Sequence, residues 1–151
     1  MKTLMHRMMM RARSVPEIKL IGWGFLLNGF WEFLQSPLYA DHDRGTIYLL
    51  WSRLHCTAGD ILILLGAYWI TSLMFRTRSW PTDKSYPALL VFIGCGFIYT
   101  AWSEWFNTRV AGTWAYAPSM PLVFGVGASP LLQWLLVPGA LVFLLKRSGR
   151  S

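Results

Sequence analysis

Asn28-Gly29-Phe30-Trp31-Glu32-Phe33-Leu34-Gln35-Ser36-Pro37 is the stretch whose reading decides the fold. It sits inside an apolar segment, residues 20–39, that is long enough to cross a bilayer as a helix. A carboxylate within such a segment costs roughly 2.5–3.5 kcal/mol near the bilayer centre on insertion scales. Asn28, Glu32, Gln35 and Tyr39 follow the spacing that gathers side chains on one face of a helix. The stripe therefore predicts a polar receptor inside the protein, supplied by other membrane helices.

Three further segments reach membrane length, residues 54–75, 87–107 and 122–145. With 54% hydrophobic and 14% charged residues, the chain is more apolar than a soluble domain. The expected fold is all-α, a polytopic four-helix membrane bundle in which residues 1–151 form a single domain, with a flexible basic stretch over 1–15. The net charge of +7 is not a nucleic-acid signature, because its distribution follows topology. Lys2, Arg7, Arg11, Arg13 and Lys19 precede the first segment, and Arg76, Arg78 and Lys84 lie between the second and third. Lys146, Arg147 and Arg150 follow the fourth, whereas only Arg44, Arg53 and Arg109 fall in the other two loops. This positive-inside pattern predicts both termini in the cytoplasm and, for a bacterial chain, the cytoplasmic (inner) membrane. Asn28 and Glu32 interrupt the first segment, and Leu38-Tyr39-Ala40 is a poor cleavage site, so it reads as a retained span.

The connections read more simply. Residues 46–51 are expected to form a short interfacial helix before span two, with Tyr48 and Trp51 as anchors. The polar 76–86 segment is expected to be a plain connection. The aromatic 108–121 segment could fold back as a lid, and Pro130 and Pro138 are expected to bend span four. Cys56 and Cys95 differ in expected depth by roughly 15 Å, too far for a disulfide.

On this topology Glu32 lies about 10 Å below the outer end of span one, and Asp60 about 9 Å below that of span two. Glu104 is within roughly a turn of the outer end of span three, with Gln133 about 10 Å into span four. These four groups share the outer half of the membrane. Glu32, Glu104 and Asp60 are the candidate catalytic carboxylates. Asn28, Gln35, His55, Tyr99, Ser103, Asn107, Trp114, Tyr116 and Gln133 are candidate ligand contacts. The stripe on span one is expected to face Tyr99, Ser103 and Glu104 on span three, and Ser129 and Gln133 on span four. Structural explanations stand beside each role. Thr57-x-x-Asp60 has the form of a helix capping box, Glu104 could pair with Arg109, and Glu32 could hydrogen bond Gln133, Ser103 or Tyr99. His55 with the carboxylates would make a nitrogen and oxygen ligand set, but its spacing fits no metal motif, and no Cys/His zinc spacing is present. No metal is expected, and no cofactor is specified.

Trp31-Glu32-Phe33-Leu34-Gln35-Ser36-Pro37-Leu38-Tyr39, His55-Cys56-Thr57-Ala58-Gly59-Asp60 and 99–107 resemble an uncharacterised family of small bacterial four-span membrane proteins. Gly112-Thr113-Trp114-Ala115-Tyr116 and Ser129-Pro130-Leu131-Leu132-Gln133-Trp134 carry the same resemblance. It implies the architecture and no chemistry. Glu104, Gly112, Trp114, Tyr116, Pro130 and Trp134 are distantly similar to a pattern in membrane carotenoid hydratases. Three functions fit the residues. One is a pocket that binds or transforms a lipophilic ligand with carboxylates as acid and base. Another is proton- or cation-coupled transport. The third is a structural subunit that contacts a membrane-complex partner or a second copy of the chain, with the lipid bilayer as surroundings in every case.

Overall fold

The computed structural model describes residues 16–83 and 85–148. The basic 1–15 stretch, Lys84 and residues 149–151 lie outside the described residues. Helix α1 spans Pro16–Gln35 and runs into a 3-10 turn over Ser36–Leu38. Helix α2 spans Thr46–Phe75 and α3 spans Tyr86–Trp105, the latter extended by a π turn over Phe106–Val110. A two-stranded hairpin, β1 (Leu122–Val123) and β2 (Val126–Gly127), leads into α4, Ala128–Ser148. The fold is all-α apart from that hairpin. The helices pack cyclically, α1 on α2, α2 on α3, α3 on α4 and α4 on α1.

Thr46–Phe75, Tyr86–Val110 and Ala128–Ser148 are long and apolar enough to cross a membrane. Helix α1 falls outside that set by composition, yet its faces are arranged for an apolar surrounding. Asn28, Glu32 and Gln35 are buried, while Ile18, Phe25, Leu26, Phe30 and Leu34 are exposed. Phe30 is 70% exposed and Glu32 only 5%, the reverse of a water-soluble amphipathic helix.

Several boundaries differ from the sequence expectation. Residues 46–51 do not form a separate interfacial helix, because no proline or capping turn separates them from the apolar run. Helix α2 is continuous for 30 residues, about 45 Å at the helical rise. Asp60 therefore sits mid-helix and is no cap, and the Thr57 hydroxyl bonds the Arg53 carbonyl at 2.8 Å. The first helix ends at Gln35, so Tyr39 leaves the helical stripe and enters the core from the following loop. Span four starts only at Ala128, since 122–127 is taken by the hairpin. Helix α3 starts as expected near Pro87, with the Ser85 side chain accepting the Ala88 N–H.

The 76–85 connection is not plain. Trp80 and Pro81 are buried, with the Trp80 ring against Tyr68 and Phe92 and its N–H on Ser72 Oγ at 3.2 Å. Together with Leu20, Leu64, Ala88, Leu141 and Leu145 they form an apolar core that closes one end of the molecule. At that end Glu17 pairs with Arg78. Polar side chains gather at the opposite end.

Candidate functional site

The polar end encloses a cavity of about 180 Å³ lined from all four helices and both of the loops above it. Helix α1 contributes Glu32 and Gln35, α2 contributes Arg53, Cys56 and Asp60, α3 contributes Thr100, Ser103 and Glu104, and α4 contributes Pro130, Gln133 and Trp134. Tyr39, Asp41 and Trp114 come from the loops, and His55 stands exposed at the rim.

Arg53 is the organising cation. It is 3% exposed, and its Nη2 donates to both oxygens of Asp41 at 2.8 and 2.9 Å. Nη1 lies 3.7 Å from Glu32 Oε2, and the guanidinium rests over the Tyr39 ring. Continuity of α2 explains why these groups meet. Arg53, Cys56, Thr57 and Asp60 recur at three, four and seven residues and so share one face. Such a buried ion cluster holds together only when its lone pairs and protons are largely satisfied.

An amide ladder ties α1 to α4. Gln35 Nε2 donates to Glu32 Oε1 at 2.7 Å and to Gln133 Oε1 at 3.4 Å. Gln35 Oε1 accepts from Ser129 at 2.7 Å and from Trp31 at 3.2 Å. Gln133 Nε2 reaches Asn28 Oδ1 at 2.9 Å and Asp60 Oδ2 at 2.8 Å. Asn28 ends the ladder on the Gly24 carbonyl of its own helix. Amides suit this place because each can donate and accept at once.

Glu104 is held from the loops. Tyr116 donates to its Oε2 at 2.6 Å, with Trp114 Nε1 on the same oxygen at 3.5 Å and Tyr39 on Oε1 at 3.4 Å. Burial, then the bond to Glu104, pushes the Tyr116 phenol well above the usual tyrosine range. The 111–121 loop reaches this position because it is sewn to the other loop by backbone bonds, Ala117 N–H to Leu38 and Ala40 N–H to Ala115. A bridge between Tyr39 and Tyr116 completes the seam.

The structure brings together Glu32, Gln35, His55, Asp60, Ser103, Glu104, Trp114 and Gln133 around the cavity. Asn28 and Tyr116 join through direct bonds to Gln133 and Glu104. Two expected ligand contacts stand apart. Tyr99 is 48% exposed, its ring tilted against Trp102 outside the cavity. Asn107 turns back onto the Ser103 carbonyl at 2.8 Å. The span-one stripe meets α2 and α4 rather than α3, because α1 and α3 are not neighbours in the cyclic packing. Glu104 does not pair with Arg109, since the loop hydroxyls and indole occupy its oxygens. Arg53, placed in a loop by the sequence reading, is in fact a buried residue of α2. Arg53, Asp41, Tyr39 and Thr100 were missed as site residues. A helix read through from Thr46 would have put Arg53 one face-repeat from Asp60.

Among the described residues, no group of three or more His, Cys, Asp or Glu side chains could hold a metal ion. Cys56 and Cys95 are free thiols. Among the described residues, four buried polar atoms have no hydrogen-bond partner within the chain, Glu17 Oε2 at the closed end and Arg53 Nε, Thr100 Oγ1 and Trp134 Nε1 on residues around the cavity. Among the described residues Asp60 Oδ1 also bonds to nothing, while Glu32 and Glu104 have partners on both oxygens. Chemically, the cavity offers one open carboxylate oxygen, that of Asp60, to whatever enters. No family model, curated protein or solved structure matches the chain.

Proposed function

We propose that the protein is a four-span integral membrane protein of the bacterial cytoplasmic membrane with both termini cytoplasmic, and that its cavity, in the outer half of the bilayer, binds or transforms an apolar or amphipathic molecule. The single observation that carries this reading is the convergence of Glu32, Asp60 and Glu104 with Arg53 and Gln133 from all of α1–α4 on one cavity of about 180 Å³. The inverted faces of α1 support a fourth span, and the positive-inside charge distribution supports the orientation. Trp114, Trp134 and Tyr39 would supply apolar surface. Asp60, with Oδ1 open, is the carboxylate placed to exchange a proton with a ligand, and Glu32 and Glu104 would hold the frame around it. Passage across the membrane is a poorer fit. The amide ladder stops at Asn28, and the apolar core of Leu20, Leu64, Phe92 and Leu141 lies beyond it.

Native mass spectrometry of the protein extracted in lipid particles tests the reading. A ligand retained by the wild type and lost on Asp60→Asn, with thermal unfolding unchanged, is the expected result. A wild-type protein that retains nothing and takes up no lipophilic probe would sink it.

A further inference from the structure

Charge divides the two ends of the molecule. At the closed end Lys19, Arg76, Arg78, Lys146 and Arg147 stand against Glu17 and Asp83, a surplus of three positive charges among the described residues. Residues 1–15, which lead into α1, add Lys2, Arg7, Arg11 and Arg13 and no acidic residue. At the cavity end the sign reverses, with Arg44, Arg53 and Arg109 against five carboxylates. The surplus is not used up inside the fold. Glu17 is taken by Arg78 and Asp83 by the Ser79 hydroxyl at 2.9 Å, while Lys19 Nζ donates to the Ser148 carbonyl at 3.1 Å. Arg76, Lys146 and Arg147 hold no ion pair among the described residues. Helix dipoles do not absorb them either. The C-termini of α2 and α4 carry about half a negative charge each, and the N-termini of α1 and α3 about half a positive charge each, so the four ends cancel.

The cations also share a side. They come from the start of α1 and from the ends of its two neighbours, α2 and α4, whereas α3 brings none here among the described residues. Each of these three helices sets an exposed apolar side chain within about one turn of its cation. Ile18 stands beside Lys19, Leu73 and Met74 precede Arg76, and Phe143 precedes Arg147. The Arg147 guanidinium lies 5.8 Å from the Phe143 ring centroid, turned back along the apolar face rather than off the end of the helix. A nucleic acid or an acidic protein would use the charges and leave this apolar face uncovered. A lipid with an anionic head uses both, its phosphate on the cations and its acyl chains along the helices. Resting on the membrane-spanning reading above, and not on the cavity ligand, we propose that the closed end binds anionic phospholipid on the side formed by α4, α1 and α2.

The test is native mass spectrometry of the protein released from nanodiscs of equal parts phosphatidylglycerol and phosphatidylcholine. Both faces of such discs carry the same lipids, so the result does not depend on orientation. The wild type is expected to retain phosphatidylglycerol in preference. Arg76→Gln, Lys146→Gln and Arg147→Gln should each lower that preference by up to about fivefold, the effect of one basic residue at an anionic surface, with thermal unfolding unchanged. Arg147→Lys, which keeps the charge, should retain it, as should Arg44→Gln with Arg109→Gln at the other end. Equal retention of the two lipids by the wild type would overturn the proposal, and capture of polyglutamate by the protein in phosphatidylcholine discs would then make the partner an acidic protein. A preference lost equally in the Arg44 and Arg109 variant would mean a diffuse charge effect and would overturn the site. Protein that fails to enter the discs would overturn the membrane-spanning reading itself.

Discussion

Arg53 shows how much one side chain can decide. It is buried between Asp41 and Glu32, so Arg53→Met strands two carboxylates. A loss of about 3–5 kcal/mol is expected, the usual cost of breaking one side of a buried ion pair. Unfolding in detergent by heat or by titrated denaturant would measure it. Adding Glu32→Gln and Asp41→Asn should restore much of the loss; a triple variant no more stable than Arg53→Met would show that the charges are not what matters. At Gly96 the constraint is space, because an added Cβ would lie 2.0 Å from the Trp134 ring. Gly96→Ala is expected to cost about 1–3 kcal/mol by overpacking and to alter the near-ultraviolet circular dichroism of the indole. Tyr116 supplies a pH dependence. Its raised pKa in the fold means that the stabilisation is complete below the unfolded value, about 10, and is lost as pH rises beyond it. Wild-type stability should therefore fall more steeply above about pH 10 than that of Tyr116→Phe, and parallel curves would refute this.

Among the elements, the β1–β2 hairpin is the most instructive. Its two-residue loop, Phe124-Gly125, has positive φ at both positions, 51° and 82°. This is the pattern of a type I′ turn, where Asn-Gly is favoured and a bulky aromatic is strained. Phe124 is nevertheless there and 102% exposed, with exposed Leu122 and Val123 beside it. In the four-span reading the tip dips into the outer interface, as aromatic residues do. Phe124→Asn should therefore stabilise the protein in detergent by roughly 1 kcal/mol yet weaken quenching of the neighbouring aromatics by brominated lipid. A destabilised variant would contradict the strain. The same residue explains why the hairpin was not legible in sequence. Without Asn-Gly or Asp-Gly, residues 122–127 read as the start of an apolar span. The long helices were legible because their apolar runs are long. The extent of α2 was not, because Arg53 in its first third reads as a loop charge when its buried partners are left out.

At the scale of the molecule, the gathering of Glu32, Asp60, Glu104 and Gln133 at one end could be read from spacing and depth alone. Their partners could be read only in part, Ser129 and Gln133 opposite the α1 stripe but not Arg53 or the loops. Which helix faces which follows from cyclic packing, and that turned the α1 stripe towards α2 and α4 instead of Tyr99. The loops escaped prediction for a related reason, since the Tyr39–Tyr116 seam joins segments far apart in sequence. The Glu32–Arg53 pair, by contrast, joins consecutive helices, and among the described helices α1 alone falls outside the set apolar enough to span a membrane. In a four-span protein this bears on biogenesis. Helix α1 would leave the translocon poorly committed to lipid and would be retained only once α2 emerged to neutralise its carboxylate. Nascent chains truncated at Gly45 should be extracted by carbonate, those truncated at Ser85 should resist it, and Arg53→Met in the longer chain should restore extraction. Full integration of the Gly45 chain would show that α1 enters the bilayer unaided.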